Sequence, residues 1–316
     1  MEQQTALTEY LEFAIALAQD AGVIIKRALD ARMKGGQANI LLKYDNPSDL
    51  VTETDQAVEQ FIKDKLFATY PTHRFIGEET MAAGTATEFT SEPTWIVDPI
   101  DGTTNFVHGY PFVAVSIGLT IDKTPVLGVV YNPLLNELYS AAQGLGSYLN
   151  RTTALPLFQP PLPLTSLSQC LVATEAGSDR SSGVLDKKVD AIHTLLRRIG
   201  HNNGVEAHSI RTTGSAALNM CLVAKGCLDV YWEVGCWEWD VTAAMVILQE
   251  AGGIVVSGHN QYDEAPANIF GRKYLAIRAT SGEEARQSQL NIARQMWDIL
   301  PSIDAPRDKV PGGFNP

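Results

Sequence analysis

The sequence predicts a layered α/β (α+β) protein, with an antiparallel meander in its N-terminal half and a mixed sheet in its C-terminal half. Two observations carry this. Residues 112–121, 126–131 and 137–142 are apolar, β-prone runs separated by the turn formers Lys123-Thr124-Pro125 and Asn132-Pro133, which join neighbouring strands as a meander. From residue 170 onward, short apolar runs alternate with helical patterns, an order that packs helices against a mixed sheet. At 316 residues, the chain suffices for one large domain or two ordinary ones.

Taken in order, the first element is a helix over 8–33. Leu11, Ile15, Ala18, Gly22, Ile25 and Leu29 draw one stripe along it, and Lys34-Gly35-Gly36 ends it. Residues 41–55 are a polar loop. Thr54 or Asp55 then caps a helix over 56–70, with Val58, Phe61, Ile62 and Leu66 inward. Residues 75–80 form a short strand ending in Glu78 and Glu79. Trp95-Ile96-Val97 is the end of a buried strand, broken at Asp98-Pro99 because proline cannot continue a central ladder. Asp98 and Asp101 then share a tight turn, and Gly102 and Thr103 open a helix. The stretch 154–168 carries Pro156, Pro160, Pro161 and Pro163. It reads as a stiff surface connection dividing 1–160 from 161–316. The second half holds strands over 170–174, 208–212, 228–233, 254–257 and 274–278. Its helices cover 184–199, the run from Gly214-Ser215-Ala216-Ala217 to Lys225-Gly226, the run from Asp240 to Ala251-Gly252-Gly253, and 282–299. Residues after Pro301 read as a tail.

A hydrophobic fraction of 45% and a charged fraction of 19% are globular values. The net charge of −12 and pI near 4.9 argue against non-specific nucleic-acid binding and against an anionic membrane surface. They also oppose an anionic substrate unless a cation bridges the two, which favours a metal site. No stretch resembles a transmembrane span or a secretory signal, so the cytoplasm is the expected compartment. Cys170, Cys221, Cys227 and Cys236 lack CxxC spacing and read as reduced packing residues.

The chemistry concentrates in two places. Asp98 and Asp101 put hard oxygen donors beside the unpaired amides of a helix N-terminus, where carboxylates hold Mg²⁺ and amides hold phosphate. A plain Asp-Pro and Asp-Gly turn is the other reading. The second place is Glu233-Val-Gly-Cys-Trp-Glu-Trp-Asp240. There Asp240 doubles as a candidate N-cap, Glu238 reads as a surface charge, and Ala243 and Ala244 allow close helix packing. Taken alone, Lys43 is a loop charge and Asp55 a helix cap.

Together these pieces resemble the inositol monophosphatase family of Mg²⁺-dependent, lithium-sensitive phosphatases. The resemblance spans about residues 8–280. It rests on Asp98-Pro99-Ile100-Asp101-Gly102-Thr103, Gly77-Glu78-Glu79, Leu50-Val51-Thr52-Glu53-Thr54-Asp55, Gly214-Ser215-Ala216 and Trp239-Asp240. The run 95–119 looks like inositol monophosphatases proper rather than the fructose-bisphosphatase or nucleotidase branches. The resemblance implies a layered α-β-α-β-α sandwich of the sugar-phosphatase type and a homodimer. It implies that Glu78, Asp98 and the Ile100 carbonyl hold one Mg²⁺, that Asp98, Asp101 and Asp240 hold a second, and that Glu78 with waters holds a weaker third. Gly102 and Thr103 amides would take the phosphate, and the Thr103 hydroxyl with Asp55 would orient and deprotonate the attacking water. Lys43 would lie on a loop over the site. Asp101, Gly214, Ser215, Ala216 and Glu233 would contact a phosphorylated polyol substrate. The chain departs from the family pattern at Ser215, where threonine is more usual, and at Thr242, where a small apolar residue is. It also departs in an extra residue before Asp55 and in longer 154–168 and 200–207 segments.

Phosphate monoester hydrolysis needs up to ~10²¹-fold acceleration. No Ser-His-Asp set, reactive cysteine or arginine-rich pocket is visible in the sequence to supply it. Paired Mg²⁺ ions about 3.5–4 Å apart would, given a bridging carboxylate such as Asp98. The resemblance, with Glu233 as an acceptor suited to a polyol, implies hydrolysis of a myo-inositol monophosphate. A sister enzyme for histidinol phosphate, a sugar bisphosphate or a phosphoadenosine is the alternative, as is an inactive regulatory relative.

Overall fold

A computed structural model describes residues 2–35, 40–42, 50–85, 87–259 and 262–307. The chain forms a seven-stranded sheet, a five-stranded sheet and a two-stranded ribbon, with helices between and outside them.

Helix α1 (Glu2–Met33) leads into the ribbon of β1 (Ile40–Leu42) and β2 (Leu50–Thr52), which pair antiparallel. The loop expected over 41–55 is thus partly strand. Helix α2 (Glu53–Thr69) is capped by Thr52, not by Thr54 or Asp55. The Thr52 hydroxyl accepts from the Thr54 amide, and Asp55, at the third helical position, accepts from the Thr52 amide. This reciprocal pair is a capping box. Strand β3 (Arg74–Gly77) ends before Glu78, which opens the short helix α3 (Glu78–Ala82).

Strand β4 (Thr94–Asp101) runs straight through Pro99, contrary to the expected break. Its pairing with β3 stops at Val97, and its pairing with β5 (Ala114–Ile121) skips from Asp98 to Asp101. Pro99 therefore sits at a bulge where no ladder N–H is required. Helix α4 (Thr103–His108) follows. The meander then continues through β6 (Thr124–Asn132), β7 (Glu137–Ala142), β8 (Gly146–Leu149) and β9 (Thr153–Ala154). The last two strands carry no strong sequence signal.

After the proline-rich connection come β10 (Leu171–Ala173), α5 (Ser182–Leu196), β11 (Ser209–Arg211), α6 (Ala216–Lys225), β12 (Val230–Val234) and α7 (Glu238–Glu250). Strands β13 (Ile254–Ser257) and β14 (Lys273–Ile277) and helix α8 (Ala285–Trp297) complete the chain. The second sheet is mixed, in the order β11-β10-β12-β14-β13. Residues 301–307 are not a free tail, since Ile303 is buried in the core beside α8.

Side-chain alternation builds five layers. Along β4, Trp95 and Val97 face α1 and α2, while Ile96 faces α6 and α7. Along β12, Tyr231 faces α6 and α7, while Val230 and Trp232 face α5 and α8. The α-β-α-β-α sandwich follows from this period-2 pattern in strands buried on both faces.

Helix α7 lies almost against the first sheet. A Cβ on Gly128 would fall 2.0 Å from the Ala243 carbonyl oxygen. Thr242 fits this close packing, with its methyl against Gly118 and its hydroxyl donating to the Glu238 carbonyl at 2.6 Å. Gly128→Ala is expected to destabilise the fold by about 3 kcal/mol, since backbone and not a movable side chain blocks the added methyl. Urea denaturation measures it, and a loss under about 1 kcal/mol would mean that the helix can withdraw at little cost.

Candidate active site

The bulged end of β4 is the centre of the site. Asp98 and Asp101 are buried there, and the Ile100 amide donates to Asp98 Oδ1 at 2.9 Å. Gly102 follows at φ 93°, and a Cβ there would meet the Phe112 carbonyl at 2.7 Å. That left-handed turn starts α4 and leaves its first amides without helical partners. The Thr103 hydroxyl has two acceptors in reach for its one hydrogen, Asp55 Oδ1 at 2.9 Å and the Ile100 carbonyl at 3.1 Å. Asp55 is fully buried, and its Oδ2 is occupied by Thr52.

Asp101 reaches across to the second half of the chain. Its Oδ2 accepts from Ser215 Oγ and the Ala217 amide, both at 2.7 Å, and its Oδ1 from the Ala216 amide at 3.3 Å. The N-terminus of α6 thus grips this carboxylate, a favourable meeting of anion and helix dipole. Burial pushes the Asp101 carboxyl up to about 7, although the Ser215, Ala217 and Ala216 donors hold it down.

Asp240 stands at the third position of α7, not at its cap. Trp237 is the capping residue, and its amide donates to Asp240 Oδ2 at 2.7 Å. Burial, followed by the charges of Asp101 and Glu78, pushes Asp240 well above the usual carboxylate range. Burial acts first on Asp98 too, followed by the charges of Glu78, Asp101 and Asp240. Four acids from three separate elements therefore meet in one place.

The donor set suits a hard divalent cation. Among the described residues no lysine or arginine pairs with Asp98, Asp101 or Asp240. Crowded, desolvated carboxylates without a protein cation require protons or a metal ion. Among the described residues no group of three or more His, Cys, Asp or Glu side chains is already arranged to hold a metal ion.

A cavity of about 330 Å³ opens above these acids, lined by Glu78, Gly214, Ser215, Ala216, Glu233 and Asp240 among others. Glu233 belongs to its wall but is not exposed. Its Oε1 accepts from Lys188 Nζ at 2.5 Å and its Oε2 from the Glu175 amide at 3.1 Å. Lys43 lies outside the described residues. Glu238 is not a surface charge: it is fully buried and paired with Arg307.

Three contributors escaped the sequence reading. Glu175, just past β10, accepts from the Thr213 and Gly214 amides and from Asn219 at 2.7–2.9 Å, fixing the turn before Ser215. Asn105 joins α4 to that same turn through the Phe112 and Thr213 carbonyls. Lys188, on α5, is fully buried beneath Glu233. An isolated lysine inside an apolar helical stripe was the only available signal for it.

Known proteins resemble this one along nearly its whole length. A family profile described as the inositol monophosphatase family matches residues 6–300. Inositol monophosphatase 2 of Saccharomyces cerevisiae is 46% identical over 280 residues, 87% of this chain and 91% of that protein. Protein qutG of Emericella nidulans is 38% identical over 322 residues, 96% of this chain and 97% of that protein. An inositol monophosphatase structure from Anabaena (Nostoc) sp. superposes with a TM-score of 0.69 at 28% identity, covering 94% of this chain and 98% of that one.

Proposed function

The chain belongs to the inositol monophosphatase family of phosphoric monoester hydrolases, and from that premise we propose that it hydrolyses a myo-inositol monophosphate to inositol and phosphate with Mg²⁺ as cofactor. The observation that carries this reading is the meeting of Asp98, Asp101 and Asp240 with Glu78 nearby, beside the amides that open α4.

Glu78, Asp98, Asp101, Asp240 and the Ile100 carbonyl would hold the ions, two or three at each site. Bound Mg²⁺ would supply Lewis-acid activation of water and charge stabilisation at the leaving oxygen. The chain's own residues do the rest. Gly102 and Thr103 amides would receive phosphate oxygens at the helix N-terminus. Thr103, donating its proton toward Asp55 at 2.9 Å, turns its oxygen lone pairs outward to accept from an attacking water. Asp55, otherwise held by Thr52, is the resting place for that proton. The substrate hydroxyls would meet Asp101, the 214–216 turn and Glu233, whose fixed acceptors suit a polyol. The division at residue 160 fits this arrangement, the first half bringing the phosphate cradle and the second the polyol wall. By the same family analogy the enzyme is a cytoplasmic homodimer. No described helix is long and apolar enough to cross a membrane.

A second reading is a different small phosphate ester, favoured by the near full-length likeness to qutG. A panel of inositol 1-phosphate, histidinol phosphate, a sugar bisphosphate and a phosphoadenosine, assayed with and without Mg²⁺, separates the two. Inositol 1-phosphate should give the highest kcat/KM, with activity lost on chelation. Tenfold faster turnover of another ester would overturn the substrate assignment.

A further inference from the structure

A second cavity, of about 260 Å³, adjoins the cavity above the acids and shares Ala176, Gly177, Ser178, Val234, Gly235 and Trp237 with it. Asp304, Ala305 and Pro306, from the segment after α8, form part of its wall. Two arginines tie that segment to the site. Arg272 Nη2 donates to the Gly235 carbonyl at 2.7 Å and its Nη1 to the Pro306 carbonyl. Its guanidinium carbon lies 3.5 Å from the centroid of the Trp237 ring. Arg307 clamps Glu238 with both ends of its fork, Nη2 to Oε1 at 2.9 Å and Nη1 to Oε2 at 3.0 Å. Glu238 is fully buried and is the first residue of α7. Between these two anchored points lies Trp237, whose amide orients the Asp240 carboxylate.

We propose that Arg307 and Arg272 are positioning residues for Asp240, so that residues 302–307 are a built part of the catalytic site. The inference rests on the reading of Asp240 as an ion-holding acid. A bidentate guanidinium–carboxylate pair fixes direction as well as distance, and a buried carboxylate holds its place only while paired. Both anchors act on the short connection from β12 to α7, which has no strand or helix ladder of its own. Partners that orient a metal-holding side chain are worth roughly 10–100-fold in metal affinity.

The test uses the full chain with three variants. Arg307→Ala alone leaves Glu238 buried and unpaired, so it is combined with Glu238→Gln to spare the fold. Arg307→Lys keeps the charge but cannot make the fork. Asp240→Asn tests the underlying reading. Mg²⁺ affinity is measured by calorimetry, alongside melting temperature, kcat and KM. The double variant should melt close to wild type yet bind Mg²⁺ about 10–100-fold more weakly, with kcat at fixed Mg²⁺ falling further than KM changes. The lysine variant should recover the melting temperature without recovering Mg²⁺ affinity. Wild-type Mg²⁺ affinity in the double variant, or full recovery by lysine, would overturn the positioning role. Wild-type affinity and turnover in Asp240→Asn would instead overturn the reading of Asp240.

Discussion

Asp98→Asn should lower kcat/KM by about three orders of magnitude, the several kcal/mol of charge stabilisation that a bridging ligand secures. The same change should leave the melting temperature in the absence of divalent ions unchanged or higher. Burial first, and then repulsion from Glu78, Asp101 and Asp240, push the Asp98 carboxyl up. An amide of the same shape removes that repulsion while keeping an oxygen to accept from the Ile100 amide. Steady-state hydrolysis and a melt in chelator are the two measurements. Activity near wild type would remove Asp98 from the metal set, and a collapsed melt would make it a folding residue instead.

Lys188→Met should cost about 3–5 kcal/mol of stability, because it strands Glu233 as an unpaired charge in the interior. The pair is short, 2.5 Å, and its side chains are 1% and 4% exposed. Lys188 has two further acceptors, the Glu175 and Val234 carbonyls, which would also lose their donor. Adding Glu233→Gln should return most of the stability. The pH dependence has a definite sign. Burial already raises Glu233, and Lys188 is the chief group lowering it. Without the lysine its folded pKa rises further above the unfolded value. The single variant should therefore lose stability as pH rises from the ordinary glutamate range through that raised value. Urea titrations across this range check both statements, and a pH-independent loss below 1 kcal/mol would mean that Glu233 reaches solvent.

What the sequence revealed, and what it hid, divides along a physical line. Asp98, Asp101 and the opening of α4 were legible because they are neighbours in one short motif. So were most helices and the meander, whose periodicities are local. Proline's effect on β4 was misjudged because the rule assumes a partnered strand, and neither neighbour pairs with residue 99. Glu238 was misread because its partner, Arg307, lies 69 residues further along. Glu175, Asn105 and Lys188 were missed for the same reason: each acts through contacts that exist only after the two sheets have come together. Asp240 lies beside Asp98 and Asp101 but has a different local role from the expected cap, since a carboxylate at the third helical position and one at the cap look alike in sequence.

The grip of α6 on Asp101 has one more implication. An acid supplied before the proline-rich connection is held by amides that come after it. Any breathing motion that parts the two sheets must strip that acid of its donors before either sheet frays. Catalytic competence is then forfeited at the earliest loosening of the molecule, so gentle heating would silence the enzyme while its secondary structure still looks whole.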